Sequence, residues 1–457
     1  MMGGTVDMEQ KNDFLGRDPI GRLLWRMSLP AIVAQLINLL YNLVDRVYIG
    51  HMPEDGALAL TGVGVCLPII MIVSAFAALV SNGGAPRASM AMGKGDYDEA
   101  EKILGNSVAL QIVISAVLTV LLLLFYRPLL LTFGASENTI GFASDYMKIY
   151  AAGTVFVQLT LGMNAFITAQ GFARTGMLSV MIGAGCNIVL DPLLIYGFGM
   201  GIRGAAIATI LAQIISLCWL IKIFCNKNEL LHFRRGIYRL KGVLVENIIG
   251  IGLAPFFMNV ASCMIVILIN KGLKLYDGDL AIGAFGIVNR IVFLFVMIVM
   301  GLNQGMQPIA GYNFGARQFH RVNHVMKLTV IAATIVTSTG FLVGELIPEL
   351  AVSAFTTDSK LIELSARGLR ITVMFFPIIG FQMVTSNFFQ SIGMASKAIF
   401  LSLTRQMLFL VPCLLILPHY YGQMGVWASM PVADLAASLI SGGMLWWQFR
   451  QFKKVTV

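Results

Sequence analysis

The sequence predicts an all-α integral membrane protein with twelve transmembrane helices, arranged as two parallel six-helix repeats. Three observations support this fold class: an apolar composition, continuous apolar runs of helical length, and an internal repeat. The 457 residues are 57% hydrophobic and 12% charged, and their mean hydropathy is +0.80. Soluble domains carry about 25% charged residues, so this chain has too few charges to cover a water-exposed surface. Disordered chains are excluded as well, because they combine low hydrophobicity with high charge.

The apolar runs have the length of membrane-spanning helices. A span with a short loop takes roughly 35–40 residues, since about 20 residues cross the hydrocarbon core, and the chain therefore accommodates about twelve spans. Runs such as 108–125 are continuously apolar, whereas the strands of a membrane barrel alternate apolar and polar residues. The predicted spans are 26–50, 59–83, 103–127, 143–170, 176–198, 202–225, 247–273, 280–304, 323–348, 365–392, 396–418 and 424–449.

An internal repeat relates the two halves of the chain. Segment 58–64 resembles segment 280–286, and at the same offset Gly83, Pro86 and Gly93 recur as Gly305, Pro308 and Gly315. Each half holds six predicted helices, an even number, so the halves share one orientation in the membrane. Parallel repeats of this kind are typical of secondary transporters with a cavity between the halves.

The lysines and arginines predict the orientation in the membrane. Most of the 32 basic residues fall in the N-terminal tail, in the loops on its side of the membrane and at the C-terminus. Basic loops remain cytoplasmic, so we expect a multi-pass plasma membrane protein with both termini in the cytoplasm. The net charge of +9 then reflects these loops, and no nucleic acid partner is expected. The predicted domains are an N-terminal tail 1–25, an N-lobe 26–226, a cytoplasmic linker 227–246, a C-lobe 247–449 and a C-terminal tail 450–457.

The first predicted helix carries a polar stripe. Gln35, Asn38, Asn42 and Asp45 are three or four residues apart, which places their side chains on one helical face. Pro30 precedes the stripe and can bend the helix, because it removes an intrahelical hydrogen bond. A carboxylate at membrane depth is costly, so this stripe is expected to face a cavity or a partner.

The fifth predicted helix supplies a second acid at the same depth. Asn187 and Asp191 lie one turn apart, directly before Pro192. Counted along their helices, Asp45, Asp191 and Thr209 all lie roughly 8–10 Å inside the outer boundary. Two acids, an amide and a hydroxyl suit Na⁺ or a proton, and no other metal site is predicted. Alternatively, these groups only join helices by hydrogen bonds, although amides would do so at lower cost than acids.

The second half offers weaker candidates for a substrate cavity. They are Asn270, Gln382, Asn387 and Asp434. Asn270 occupies the position equivalent to Asp45, and Asp434 has no polar partner in its own predicted helix. The acid chemistry is therefore expected in the first half.

Four short motifs of the first half can be compared with known families. They are Leu29-Pro30, Asp45-x4-Gly50-His51, Asn187-x3-Asp191-Pro192 and Gly204-Ala-Ala-Ile-Ala-Thr209. Together with the two six-helix halves, they resemble the multidrug and toxic compound extrusion (MATE) transporters. The resemblance implies V-shaped lobes that export amphiphilic, often cationic compounds in exchange for H⁺ or Na⁺. It also implies that the ion is held in the N-lobe by Asp45, Asn187, Asp191 and Thr209.

The sequence thus predicts a secondary active multidrug efflux antiporter rather than an enzyme. We expect a monomer in the lipid bilayer, small amphiphilic drugs as substrates, and no cofactor besides the coupling ion, H⁺ or Na⁺. The alternative is a lipid-linked oligosaccharide flippase of the same broad superfamily. A flippase of this type needs a strongly cationic cavity. Arg405 is counted with the loop between the tenth and eleventh spans and the other basic residues with loops and span ends, which leaves only Arg46 and Arg290 within the spans.

Overall fold

The computed structural model describes residues 14–53, 55–227 and 229–455. These residues form helices and no strands, which confirms the predicted fold class. Ten helices are long and apolar enough to span a membrane, and two further spans are each formed by a bent pair of helices. In chain order the spans are α1 Ile20–Gly50, α2 Gly56–Gly93, α3 Tyr97–Thr132, α4 Ile140–Ala152 with Thr154–Ala169, α5 Ala173–Gly197, α6 Gly201–Phe224, α7 Gly242–Leu273, α8 Leu280–Gly315, α9 Phe319–Leu346, α10 Ser359–Val373 with Phe376–Ser391, α11 Ala395–Tyr421 and α12 Gln423–Val455.

The two bent spans lie at equivalent places in the two halves. The pieces of α4 meet at Gly153 with a bend of 55°, and the pieces of α10 meet before Phe376 with a bend of 54°. Each is the fourth span of its half. With each bent pair counted as one span, the structure has the predicted twelve. We call α1–α6 the first half and α7–α12 the second half.

Several helices extend further than their apolar runs predict. Residues 20–25, 242–246 and 450–455 are helical, although they were expected in the cytoplasmic tails and linker. At the start of α1, Leu23 and Leu24 are buried in the core, and at the end of α12 Phe452 stacks on Phe319 with ring centroids 5.2 Å apart. These contacts stabilise the helices beyond the ends of the predicted apolar runs. Residues 1–13 and 456–457 of the predicted tails lie outside the described residues, and the lobe boundaries and membrane sides stay predictions.

Glycines bring the two halves into backbone contact at one end of the molecule. A β-carbon at Gly93 of α2 would lie 2.0 Å from the carbonyl oxygen of Tyr312 in α8. In return, a β-carbon at Gly315 of α8 would lie 2.1 Å from the carbonyl oxygen of Met90 in α2. Any side chain larger than hydrogen would push these helices apart. The repeated glycines are therefore the points at which the halves close on each other.

The opposite end of α1 is less covered. Its buried residues are concentrated between Ile20 and Ala34, whereas none of residues 35–48 is buried. The halves therefore meet near Gly93 and Gly315 and leave the second part of α1 partly open. That open part holds the predicted polar stripe.

The segment between α6 and α7 is fixed to the first half. The carboxylate of Glu101 in α3 accepts a hydrogen bond from Nε of Arg234 at 2.7 Å and lies 2.9 Å from Nδ1 of His232. One turn further along α3, the Asn106 side chain accepts a hydrogen bond from the backbone N–H of Lys241 at 2.8 Å. The segment is thus held on α3 up to the residue before α7 begins.

Candidate functional site

The carboxyl groups of Asp45 and Asp191 face each other across α1 and α5. They lie within hydrogen-bonding reach of one another. Asp191 is fully buried, and Asp45 is half-buried. Two ionised carboxylates this close would repel each other. The arrangement therefore calls for a shared proton or a bound cation.

Three oxygen atoms at this pair lack a hydrogen-bond donor among the described residues. They are Oδ1 of Asp45, Oδ1 of Asn187 and Oδ2 of Asp191, and all three are buried. Nδ2 of Asn187 donates to the other Asp191 oxygen, Oδ1, at 3.4 Å. Buried polar atoms are nearly always paired, and carboxylate and amide oxygens are the ligands of hard cations. The donor set therefore fits either Na⁺ or a proton.

The other predicted members of the site lie on neighbouring turns with bonds to their own helices. The Thr209 hydroxyl donates to the carbonyl of Ala205 at 3.0 Å, and Nδ2 of Asn42 donates to the carbonyl of Asn38 at 2.7 Å. Gln35 and Asn38 are half-buried. The structure thus brings Asp45, Asn187 and Asp191 together. Among the described residues, the Thr209 hydroxyl bonds to its own helix and not to either carboxyl group.

Pro30 lies inside an unbroken helix. α1 runs from Ile20 to Gly50, with Pro30 buried within it. On either side of the proline, α1 packs closely on α8, where β-carbons at Gly301 and Gly305 would lie 2.6 Å from the Cα atoms of Ile32 and Ser28. α1 stays helical through Pro30, and the bend expected there stays a prediction.

Three tyrosines near the carboxyl pair were missed by the sequence reasoning. Tyr41 and Tyr146 are close enough to interact electrostatically with Asp45. Tyr146 and Tyr150 are both buried in α4 and stack with ring centroids 6.3 Å apart. Their spacing was a signal for them. Tyr41 precedes Asp45 by four residues and Tyr146 precedes Tyr150 by four, and residues four apart are neighbours on one helical face.

A π-helical turn at the end of α5 contacts the end of α1. The turn covers Leu193–Gly197, directly after Pro192, whose missing N–H disrupts the α-helical hydrogen-bond pattern. Within it, the Tyr196 hydroxyl donates to the backbone carbonyl of Tyr48, and the two rings meet edge to face. This contact lies one turn beyond both carboxyl groups and holds α1 and α5 together there.

In the second half, Asp434 is paired with a basic residue. Its Oδ1 accepts a hydrogen bond from Nε of Arg405 at 2.6 Å, and Asp434 is only 4% exposed. The sequence reasoning placed Arg405 in a loop, which was wrong. Arg405 lies in a π-helical turn, Thr404–Leu410, inside α11. Asp434 therefore already carries a counter-ion.

The amide candidates of the second half are spread over two helices. Gln382 is buried in α10, and Asn387 accepts hydrogen bonds from the Ser391 hydroxyl on the same helix. Asn270 in α7 is half-buried. A substrate cavity lined by these residues stays a prediction.

The comparison with protein families matches both halves of the chain separately. The family model described as MatE matches residues 30–193 and again residues 251–415. The two matched ranges correspond to the two predicted repeats. Together they cover more than half of the sequence.

Similar proteins and structures extend over nearly the whole chain. The multidrug export protein MepA of Staphylococcus haemolyticus (strain JCSC1435) is 26% identical over 422 residues, covering 92% of this chain and 92% of that protein. A solved structure of the MATE multidrug transporter DinF-BH, in complex with a ligand, is 33% identical, has a TM-score of 0.87, and is matched over 94% of this chain and 96% of its own. An outward-facing MATE family transporter of the MOP superfamily, 23% identical, has the same fold with a TM-score of 0.89, over 96% of this chain and 98% of its own.

These matches agree with the twelve spans and with the internal repeat. MatE is a family of membrane transporters and not a class of enzymes. The chain belongs to the MatE family of multidrug and toxic compound extrusion transporters.

Proposed function

We propose that this protein is a secondary active multidrug efflux antiporter. It exports amphiphilic, often cationic compounds in exchange for H⁺ or Na⁺ taken up at Asp45 and Asp191. The observation that carries the proposal is the facing carboxyl pair with its unpartnered oxygens, because such a pair needs a positive charge to persist in a buried site. MepA is a multidrug export protein and DinF-BH is a multidrug transporter, which supports a drug as the second substrate.

Exchange follows when the ion and the drug favour different conformations. Ion binding neutralises the carboxyl pair and changes the contacts between α1 and α5, whereas drug binding favours the state with the pair unoccupied. A ligand shifts a conformational equilibrium only by its difference in affinity for the two states. The carboxyl pair lies on the open part of α1, so the ion enters from the end opposite to Gly93 and Gly315. Given the predicted orientation, that end faces the outside.

The test is the efflux of ethidium, an amphiphilic cation, from vesicles that contain the purified protein, with a pH gradient and a Na⁺ gradient imposed separately. We expect one of the gradients to drive efflux, and Asp191→Asn to reduce the driven rate by about tenfold or more. The matched control is Asp145→Asn, since Asp145 is an acid of the same half that is paired with Arg203 at 3.0 Å. Undiminished efflux by Asp191→Asn, with protein present in the vesicles, would contradict the proposal.

The flippase alternative gains no support from the basic residues. Arg405 is a further basic side chain within a span, but Asp434 neutralises it. Arg46 and Arg290 are exposed on α1 and α8. These three residues thus form no concentration of unpaired positive charge for a pyrophosphate group.

A further inference from the structure

A series of buried polar side chains runs between α3 and α4, inside the first half. In α3 it comprises Ser107, Gln111 and Ser115, and in α4 it comprises Thr154 and Gln158. All five residues are at most 1% exposed. Within each helix they are four residues apart, which places them on one face. We call these five residues the polar ladder.

Helices α2, α3 and α4 enclose the ladder. A β-carbon at Gly162, one turn after Gln158, would lie 2.1 Å from Nε2 of Gln111, so the Gln111 amide lies directly on α4. Nε2 of Gln158 donates to the carbonyl of Val73 in α2 at 3.4 Å. A β-carbon at Gly84 of α2 would lie 2.4 Å from the Ser107 hydroxyl oxygen. The ladder side chains therefore contact neither lipid nor the space between the halves.

Three ladder atoms are buried without a hydrogen-bond partner among the described residues. They are Oγ of Ser107, Nε2 of Gln111 and Oε1 of Gln158. If the ladder only joined helices, these atoms would be paired with each other or with backbone groups. A donor, an acceptor and a hydroxyl that stay unpaired along an enclosed ladder are instead the kinds of partner that internal water molecules require.

One end of the ladder leads to the carboxyl pair. The Thr154 hydroxyl donates to the carbonyl of Tyr150 at 3.2 Å, and Tyr150 stacks on Tyr146. Tyr146 in turn interacts electrostatically with Asp45. Polar side chains thus follow one another at every fourth residue of α4, from Tyr146 beside the pair to Gln158.

The other end leads to the segment between the halves. Ser107 is the residue after Asn106, whose Nδ2 donates to the carbonyl of Ile237 at 3.1 Å in that segment. Ser107 and Ser115 are eight positions apart, which corresponds to about 12 Å of helix. The ladder therefore spans much of the distance from the carboxyl pair to the end of the first half at which the halves close.

We propose that the polar ladder holds a chain of internal water molecules that carries the coupling proton from the Asp45–Asp191 pair to the cytoplasmic end of the first half. This inference rests on the proposed function and assigns the proton as its coupling ion. In each transfer a water molecule accepts a proton on one side and releases another on its other side, so one proton leaves the carboxyl pair and one reaches bulk water. The serine, threonine and glutamine side chains orient the waters and gain no net proton.

The ladder lies within the first half, so a proton uses it only after access to the carboxyl pair from the outer side has closed. Otherwise the pair would be open to both sides at once, and proton flow would not be coupled to drug export. A proton passes along hydrogen-bonded waters without displacing side chains, whereas Na⁺ would have to move the Gln111 amide off α4. The packing at Gly162 therefore favours the proton over Na⁺ as the ion that uses the ladder.

The test compares Gln158→Leu and Gln111→Leu with the control Thr160→Val. Thr160 lies on the same helix as Gln158 and is also buried, but its hydroxyl donates to the carbonyl of Gln213 at 3.1 Å, away from the ladder. X-ray radiolysis with mass spectrometry labels side chains next to bound water. We expect labelling of Tyr150 in the wild type and in Thr160→Val, and about fivefold less in both ladder variants.

The second measurement is the proton uptake that accompanies ethidium efflux from the same vesicles. We expect the ladder variants to slow it by about tenfold while equilibrium ethidium binding stays unchanged. Ser107→Ala, a smaller change, replaces any variant that fails to bind ethidium. Wild-type labelling together with wild-type proton uptake in the ladder variants would overturn the inference.

Asp191→Asn in the same vesicles separates this inference from the proposed function. If Asp191→Asn abolishes efflux and the ladder variants do not slow it, the ladder inference fails and the antiporter stands. If Asp191→Asn leaves efflux intact, the proposed function fails. Efflux driven by Na⁺ alone overturns the ladder inference and leaves Na⁺ antiport in place.

Discussion

Gly93 and Gly315, the equivalent glycines of the two repeats, pack reciprocally across the boundary between the halves. Each lies against the backbone of the residue three positions before the other glycine, namely Tyr312 and Met90. The symmetry of the sequence repeat is thus reproduced as a symmetric contact. Because the opposing atoms are backbone oxygens, they cannot rotate away as a flexible side chain would.

We therefore expect Gly315→Ala to force the halves apart. Overpacking of this kind destabilises a protein by about 1–3 kcal/mol, so the thermal unfolding midpoint and ethidium efflux should both fall. The matched control is Gly286→Ala in the same helix, since a β-carbon at Gly286 meets nothing within 4 Å. Equal behaviour of the two variants would show that the contact at Gly315 does not limit stability.

The Arg405–Asp434 pair gives a second prediction. Removal of one partner leaves a buried charge without its counter-ion, so Arg405→Met alone should destabilise the protein by about 3–5 kcal/mol. Replacement of both residues, Arg405→Met with Asp434→Leu, should restore most of that loss. Thermal unfolding of the purified variants measures both. A double variant as unstable as the single one would argue that Arg405 acts through other contacts.

Tyr146 provides a prediction for the carboxyl pair. Tyr146→Phe removes a buried hydroxyl beside Asp45 and keeps the ring that stacks on Tyr150. We expect the ion concentration for half-maximal ethidium efflux to rise by about threefold or more, with little change in stability. Tyr126→Phe is the control, because that ring lies beside Lys148 and not beside the acids. An unchanged ion dependence would remove Tyr146 from the site.

The contact between Glu101 and the inter-half segment gives a fourth prediction. Glu101 is buried and binds Arg234, so Glu101→Gln should weaken a charge-assisted bond worth about 1.5–3 kcal/mol. Limited proteolysis should then cleave the segment around Arg234 faster than in the wild type. The half-buried neighbour Glu99 offers the control Glu99→Gln. Equal cleavage rates in all three proteins would mean that Glu101 does not hold the segment.

The sequence was sufficient for the parts of the molecule that follow helical periodicity. Asp45 and Asp191 could be placed at one depth because residue counts convert directly into distance along a helix. The twelve spans followed from apolar runs for the same reason. The close approach at Gly93 and Gly315 was marked by their repetition, although the sequence did not reveal which backbone atoms they contact.

Contacts between helices that are distant in sequence could not be predicted from helical periodicity. Arg405 and Asp434 lie on different spans, and the π-helical turn that positions Arg405 has no recognisable sequence pattern here. Tyr146 and Tyr150 could not be distinguished by type from the other aromatic residues of an apolar helix. Their proximity to Asp45 depends on how α4 packs on α1, which periodicity within one helix does not determine.

The attachment of the inter-half segment to α3 has a mechanical consequence. Lys241 is tied to Asn106 of the first half, and directly after it α7 starts and packs on α2, where a β-carbon at Gly83 would lie 1.9 Å from the carbonyl oxygen of Ile248. The beginning of α7 is therefore held on the first half, although by sequence it belongs to the second. We expect a rotation of one half against the other to bend α7 beyond Ile248, where Pro255 interrupts the backbone hydrogen bonding. We therefore expect the hinge of the transporter to lie within a membrane helix, and the two moving bodies to differ from the two repeats.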